Sequence, residues 1–166
     1  MKSLLVAALT LTLLSGCGWQ LRGTESLPDN LQSLHFRAKD PDSNLARTLQ
    51  RTFKNYQITL SDQAQGQYSL ILQKESQDKR VVSLSIDALA NEYELSMSAR
   101  FRILDPQGKV ILKNTDAKVV RSFDHDPSDA LSKSEEERLL RQEMQSDLVN
   151  QIIRQLRFVL AKQQQD

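Results

Sequence analysis

The chain has 166 residues, of which 26% are charged and 5% aromatic, and its 22 basic residues almost balance its 21 acidic ones. This balance gives no overall field that would favour nucleic acid or an anionic membrane surface, so an anionic partner must be met by a local patch. The few aromatic residues and the absence of an internal repeat argue against solenoids, propellers and carbohydrate-stacking grooves.

The start of the chain has the layout of a secretory leader. Lys2 precedes a mostly apolar run over residues 4–14, and Ser15, Gly16 and Cys17 follow it. A run this short is below the ~18 residues that cross a bilayer as a helix, so no permanent transmembrane anchor is expected. The small residues before the cysteine resemble a bacterial lipobox, and the alternative is an ordinary signal peptide followed by an unmodified thiol.

Cleavage before Cys17 sets the predicted boundaries. Residues 1–16 are predicted to be a cleaved lipoprotein signal peptide, residues 17–30 a lipidated tether, and residues 31–166 a single domain. Cys17 is the only cysteine, so no intramolecular disulfide can form and the thiol is available for acyl chains such as palmitate. Gly18 stands where aspartate would mark inner-membrane retention, which favours an outer-membrane anchor with the domain on the periplasmic side.

A strand and a helix are predicted next. Residues 31–37 alternate imperfectly, with Leu34 and Phe36 on one face, as in a short strand. Asp40-Pro41 begins a helical pattern that predicts a helix over about residues 42–56. The apolar residues of this helix recur every three or four positions: Leu45, Leu49, Phe53 and Tyr56.

From Gln57 onward the apolar period changes to two, which predicts strands. Two short strands are expected at residues 68–73 and 82–86, and a clearer one at residues 93–103. The polar face of that clearer strand is formed by Glu94, Ser96, Ser98, Arg100 and Arg102.

A hairpin and a long helix complete the pattern. The turn sequence of residues 105–108, Asp-Pro-Gln-Gly, predicts a reversal into a strand over residues 110–123, with a bulge near Asn114. Asp126-Pro127 can begin a helical turn, and Ser134 with Glu137 is a capping-box pattern. The helix is predicted over about residues 135–162, roughly 42 Å long. Its apolar positions recur every four residues: Leu140, Met144, Leu148, Ile152 and Leu156.

This order of elements predicts an α+β fold. We expect a two-layer sandwich with an about four-stranded, mainly antiparallel sheet and two helices on one face, the C-terminal helix being long. The opposite, polar face of the sheet is left open to water or to a partner.

No catalytic constellation is recognisable. The two histidines, His35 and His125, lack metal-ligand spacing from another histidine or from cysteine. No nucleophile elbow and no phosphate-cradling glycine loop are present. We therefore expect no enzyme activity, no metal and no cofactor.

Three segments in this order resemble one family: residues 17–22 (CGWQLR), 91–95 (NEYEL) and 117–123 (AKVVRSF). They are similar to the LptE family of lipopolysaccharide-assembly lipoproteins, as are Pro127, Ala130-Leu131 and Lys133. The similarity in element order runs from the leader nearly to the C-terminus. Residues 75–92 match poorly, so basic contacts that relatives place there are not carried over.

The resemblance implies a non-enzymatic partner of the outer-membrane β-barrel LptD, lodged in its lumen as a plug while lipopolysaccharide is assembled at the outer leaflet. Lipopolysaccharide carries phosphates and acyl chains, so its contact requires basic side chains beside apolar ones. Five candidates follow: Arg121 and Lys133 first, then Lys118, Arg100 and Arg102. For each of them the alternative is a charge that only keeps the surface soluble. The alternative function is an envelope lipoprotein that binds another amphiphile or envelope protein.

Overall fold

The computed structural model describes Leu27 and residues 31–84 and 90–163. The predicted signal peptide and, apart from Leu27, the predicted tether with Cys17 lie outside these residues. Leu27, which falls in the predicted tether, is 5% exposed and belongs to the hydrophobic core.

The described residues form five strands and two helices that make an α+β, two-layer sandwich, as predicted. In chain order they are β1 (Ser33–Ala38), α1 (Asn44–Asn55), β2 (Thr59–Ser61), β3 (Ser69–Leu84), β4 (Ala90–Leu104), β5 (Val110–Asp124) and α2 (Ala130–Gln163). The strand order in the sheet is β2-β1-β3-β4-β5. β1 is parallel to both β2 and β3, whereas β3, β4 and β5 form an antiparallel meander. The expected count of about four strands is corrected to five.

Both helices pack on the same face of the sheet. Alternate residues of β1, β3, β4 and β5 point into one core, which they share with the apolar faces of α1 and α2. The most deeply buried side chains come from every layer: Leu34, Leu49, Phe53, Leu70, Leu72, Leu95, Phe101, Ile103, Met144, Ile152 and Leu156.

Helix α1 forms where the sequence places it, within two residues at its start and one at its end. Ser43 is its N-cap, because the Ser43 hydroxyl accepts a hydrogen bond from the Ala46 N–H at 3.0 Å. The last member of the predicted apolar face, Tyr56, lies just past the helix and is 42% exposed. The chain turns there through Gln57, whose φ is 60°, and this turn takes Tyr56 away from the core.

The two short strands predicted at residues 68–73 and 82–86 are one continuous strand, and this prediction was wrong. β3 pairs with β4 from Ser69 opposite Leu104 to Leu84 opposite Ala90. Its middle is polar on both faces, so no period of two connects the apolar ends. Ile86, which the sequence placed in the second strand, lies outside the described residues.

The β4–β5 hairpin confirms the predicted turn and bulge. Gly108 donates its N–H to the Asp105 carbonyl at 3.0 Å and has a φ of 82°, which glycine adopts without strain. The register shifts between the pairs Phe101 with Thr115 and Ile103 with Leu112, which is a bulge next to Asn114.

The start of α2 was predicted wrongly. The helix has 34 residues and begins at Ala130, directly after a 3-10 turn at Pro127–Asp129. Asp126 caps this turn by accepting from the Ser128 N–H at 2.9 Å. Ser134 is inside the helix, and its hydroxyl donates to the Leu131 carbonyl at 2.8 Å instead of capping a terminus. The capping-box pattern therefore marks no helix end.

With Asp126 as the cap and Ser134 inside the helix, substitutions at these two residues should have different effects. Asp126→Ala should lower the melting temperature, because the 3-10 turn loses the side chain that caps it. Ser134→Ala should change the free energy of unfolding by less than about 0.5 kcal/mol, because the site is an exposed helix position. Thermal unfolding followed by circular dichroism compares them, and a larger effect at Ser134 would contradict the observed cap.

Two glutamine side chains of α2 and one lysine side chain of β3 attach α2 to the rest of the fold. Gln145 Nε2 donates to the Asn44 carbonyl at 3.0 Å and to Thr48 Oγ1 at 2.6 Å, which joins the two helices. Gln151 lies beside β5, where its amide accepts from the Lys118 N–H and donates to the Lys118 carbonyl, both at 3.3 Å. Lys79 of β3 bonds a carboxylate on the first half of α2. The long helix is therefore held along most of its length.

Lys79 is also part of an aromatic cluster under α2. Its Nζ lies 2.6 Å from Glu137 Oε2 and 4.1 Å from the centroid of the Tyr93 ring. Partial burial raises the pKa of Glu137, but hydrogen bonds from Lys79 and Arg141 outweigh it, so the pKa lies below its usual value. These contacts attach the N-terminal half of α2, where few residues are buried.

Candidate functional site

One face of the sheet carries no helix in the described part of the chain. The strand register places the following residues on it, and we call this surface the open sheet face: His35, Arg37, Ile71, Lys74, Ser76, Asp78, Arg80, Glu92, Glu94, Ser96, Ser98, Arg100, Arg102, Leu104, Asp116, Lys118, Val120, Ser122 and Asp124. The polar face predicted for the clearer strand is confirmed, since the apolar residues that alternate with it are buried in the core or, in the case of Tyr93, packed against it.

Two ion pairs bridge neighbouring strands on the open sheet face. Arg100 Nε and Nη2 each lie 2.8 Å from an oxygen of Asp116, a bidentate pair, and Arg80 Nε lies 2.8 Å from Glu94. The Arg100 hydrogen bond holds the pKa of the Asp116 carboxyl below its usual value, and Arg80 does the same for Glu94. Both pairs are exposed, so they fix cross-strand neighbours and add little to stability.

Four further cations make this face locally basic. Arg37, Lys74, Arg102 and Lys118 form no ion pair with a carboxylate in residues 31–84 and 90–163. The acidic residues of this face outside the two ion pairs, Asp78, Glu92 and Asp124, lie further along the strands, away from the row that contains Arg37 and Arg102. The overall balance of charge in the chain therefore hides a positive patch.

Arg102 has the least satisfied side chain of this patch. It is half-buried, and its Nε atom is buried without a hydrogen-bond acceptor among the described residues. Most buried polar groups in folded proteins have a partner, and an unpaired one costs free energy. A hydrogen-bond acceptor placed at the Arg102 Nε–H would therefore lower the free energy.

Arg121 lies on the other side of the sheet. Its Cα partner on β4 is Leu95, a core residue, and its guanidinium donates to Asp147 of α2 at 2.6 Å and to the Val120 carbonyl at 3.1 Å. Arg121 lies on the same face of β5 as Ala117 and Phe123, because even spacing along a strand places side chains on one side. The structure therefore separates Arg121 from Arg100, Arg102 and Lys118.

Lys133 lies near the start of α2, away from the open sheet face. Its Nζ donates to Glu136 Oε2 at 2.8 Å, and this hydrogen bond raises the pKa of Lys133 above its usual value. A groove of about 540 Å³ beside it is lined by Phe123, Leu139 and the carboxylates of Glu135, Glu136 and Glu143. Because that lining is acidic, the groove does not suit an anionic ligand.

A second groove, of about 440 Å³, lies at the end of β1. Ser43, Lys39, Asp40, Lys74 and Glu75 line it, and the Ser43 hydroxyl donates to Glu75 Oε1 at 2.6 Å. Burial raises the pKa of Glu75 above 4.5, against the lowering effect of the Ser43 hydrogen bond and with a further rise caused by Asp40. Acidic and basic groups alternate in this groove, so it offers no single sign of charge.

The Glu75 carboxyl predicts a pH effect on stability. A carboxyl whose pKa rises on folding binds its proton more tightly in the folded chain, so it favours folding below its unfolded pKa. That contribution is lost as the pH rises from about 4.5 through the folded pKa. We expect the stability of the natural chain relative to Glu75→Gln to fall as the pH rises from about 4.5 through the folded pKa of Glu75. Urea unfolding at several pH values measures this, and parallel profiles would contradict the expectation.

Neither histidine is placed for chemistry. His35 Nδ1 lies 3.0 Å from the Ser61 carbonyl oxygen, and His125 packs edge-on against Tyr93 with centroids 5.1 Å apart. Over the described ranges, no three side chains among histidine, cysteine, aspartate and glutamate are arranged to hold a metal ion. Over the same ranges, no helix is long and apolar enough to span a membrane.

Comparison with known proteins identifies similar chains. The family model described as "LptE: Lipopolysaccharide-assembly" matches residues 31–156. A protein of Yersinia pestis named LPS-assembly lipoprotein LptE is 31% identical over 95% of this chain and 76% of its own length. One of the same name from Photorhabdus laumondii is 29% identical over 92% and 83%, respectively.

Similarity extends to a solved structure. The crystal structure of the rare lipoprotein B from Shewanella oneidensis superimposes with a TM-score of 0.72 at 23% identity, covering 80% of this chain and 98% of that one. At this identity the likeness concerns the fold, and it agrees with the five-stranded sheet and the long C-terminal helix.

Proposed function

The chain belongs to the LptE family of lipopolysaccharide-assembly lipoproteins, and from this we propose that it assists lipopolysaccharide assembly at the outer membrane as a plug of the LptD β-barrel. The family match supports the assembly role, and relatives named lipoproteins support attachment to the cell envelope. The barrel partner and the location at the outer membrane are proposed beyond the family match. No catalytic role is proposed.

Lipid on Cys17 supplies the proposed anchor. Acyl chains there, followed by the predicted tether, would keep the domain on the periplasmic side of the outer membrane and at a high effective concentration beside the barrel.

The observation that carries the proposed role is the open sheet face. A barrel lumen is polar, and a rigid two-layer body can meet it with a face of charged and hydroxyl side chains. The patch of unpaired cations on this face suits the phosphates of lipopolysaccharide. Arg102 and Lys118 are the proposed contacts in this patch, and Arg100 lies beside it in its ion pair with Asp116. Arg121 and Lys133 are the candidates on the helix side.

Co-purification tests the barrel proposal. A tagged chain extracted in detergent should bring down a β-barrel of much greater mass at equal stoichiometry. A chain recovered without a partner would favour the alternative, an envelope lipoprotein that binds another amphiphile or envelope protein.

Charge reversal separates the two proposed lipopolysaccharide regions. Lys118→Glu should weaken lipopolysaccharide binding by the isolated protein if the open sheet face takes part, and Arg121→Glu with Lys133→Glu tests the helix side. Arg51→Glu is the matched control, because Arg51 is an exposed residue of α1 whose side chain donates to Thr48 Oγ1. Unchanged binding with an unchanged melting temperature would remove the altered residues from the site.

A further inference from the structure

An isoleucine lies between two arginines in one row across the open sheet face. The Cα partner of Ile71 on β1 is Arg37, and its partner on β4 is Arg102. Adjacent strands are about 4.8 Å apart, so the two arginine Cα atoms are roughly 10 Å apart and their side chains rise from the same face. Their guanidinium groups can therefore close on one small group above Ile71.

Both arginines have unused donors. Neither pairs with a carboxylate in the described part of the chain, and Arg102 Nε is buried without an acceptor. The next outward-facing arginine of β4, Arg100, has an acidic partner, because it donates to Asp116 through two hydrogen bonds of 2.8 Å. Two positive charges, one of them on a buried N–H without an acceptor, favour the binding of an anion that is not part of this chain.

We propose that Arg37 and Arg102 together bind a phosphoryl group above Ile71, and this assignment rests on the proposed role in lipopolysaccharide assembly. A guanidinium presents two parallel N–H donors that match two oxygens of a phosphate. A tetrahedral phosphoryl group has oxygens for two arginines that approach from opposite sides. A carboxylate uses both of its oxygens on one bidentate arginine, whereas a phosphoryl group keeps a further oxygen for the second, so the pair suits phosphate better.

The surroundings of the row suit a phosphate on an amphiphile. Lys74, the Cα partner of Arg100, adds a cation beside the row. Ile71 and Leu104 are half-buried, so they expose apolar surface next to the two guanidiniums. The site thus offers charge for a headgroup and a small apolar surface for the hydrocarbon next to it.

Titration with inorganic phosphate tests the site directly. The probe is added to the ¹⁵N-labelled full-length protein in detergent, at constant ionic strength set with sodium chloride. The Nε–H signal of Arg102 and the amide signal of Ile71 should shift and saturate. Arg37→Gln and Arg102→Gln should each weaken binding about tenfold or more, the size expected when a charge-assisted hydrogen bond is lost. Arg51→Gln, on α1, should leave binding unchanged, and an equal effect there would overturn the site.

A stability measurement separates a binding residue from a structural one. Arg102→Met removes a buried donor that has no acceptor and keeps an unbranched side chain, so the melting temperature without phosphate should rise. The same variant should lose the phosphate response. A lower melting temperature together with retained phosphate binding would make Arg102 structural and overturn the proposal.

Lipopolysaccharide before and after enzymatic removal of its phosphates identifies the source of the group. Tighter binding of the phosphorylated form, with the difference lost in Arg37→Gln, supports a headgroup phosphate. Phosphate binding with no preference between the two forms would leave a free-phosphate site and contradict the headgroup assignment. Lipopolysaccharide binding without any phosphate response would overturn this site while the proposed function stands. An equal response to acetate would overturn it in favour of a protein carboxylate.

Discussion

Replacing Phe53 with alanine should lower the free energy of unfolding by about 3–5 kcal/mol. Phe53 is 0% exposed, and its ring packs against Phe36 of β1 with centroids 5.9 Å apart. It is the last of four buried residues by which α1 attaches to the sheet. The substitution removes the transfer free energy of a large ring and leaves a cavity that its neighbours cannot close completely.

Urea unfolding followed by circular dichroism measures this loss, and the chain contains a matched control. Phe158 is on α2 and is 69% exposed, so Phe158→Ala should change the free energy of unfolding by no more than about 0.5 kcal/mol. Equal destabilisation at the two positions would mean that the outer face of α2 is covered in solution. A small effect at Phe53 would contradict the packing of α1.

Removing the proposed lipid from Cys17 should release the protein from the membrane almost completely. The variant carries Cys17→Ala and a leader for a non-lipidated secreted protein in place of residues 1–16, so that export and cleavage continue. Each buried methylene of an acyl chain contributes about 0.8 kcal/mol to membrane attachment, and two or more chains make it stable. Without these chains, that contribution to membrane attachment is lost.

Cell fractionation measures the release, with the protein produced in excess over any barrel that could retain it. The natural chain is the control and should stay in the membrane fraction after a high-salt wash. Its intact mass should show the acyl additions. An unmodified thiol on the natural chain, or a variant that remains in the membrane, would contradict the proposed anchor.

The sequence predicts those parts of the fold in which the apolar period is uninterrupted. Helix α1 and strand β4 are found within a few residues, because each buries one continuous face. The middle of β3 is missed, because Lys79 and its neighbours are polar on both faces and are stabilised by β4 and α2 instead of by burial. The start of α2 is missed because Ser134 resembles a cap although the helix already runs through it.

The candidate site is predicted only as far as alternation along one strand allows. Arg100, Arg102 and their polar neighbours on β4 are expected on the open face from the period of two. Arg37 is not found, because only the parallel pairing of β1 with β3 brings it beside Ile71. The family resemblance groups Arg121 with the other cations, although its position in the alternation along β5 places it on the face that α2 covers.

The Gln151 amide covers one point on the outer edge of the sheet. β5 is an outermost strand, and the backbone N–H and C=O of Lys118 point away from β4. Such groups are a template on which another extended chain can add itself and begin aggregation. One side chain on α2 occupies both of them in the way a sixth strand would. This contact therefore blocks the addition of another strand at that point of the edge.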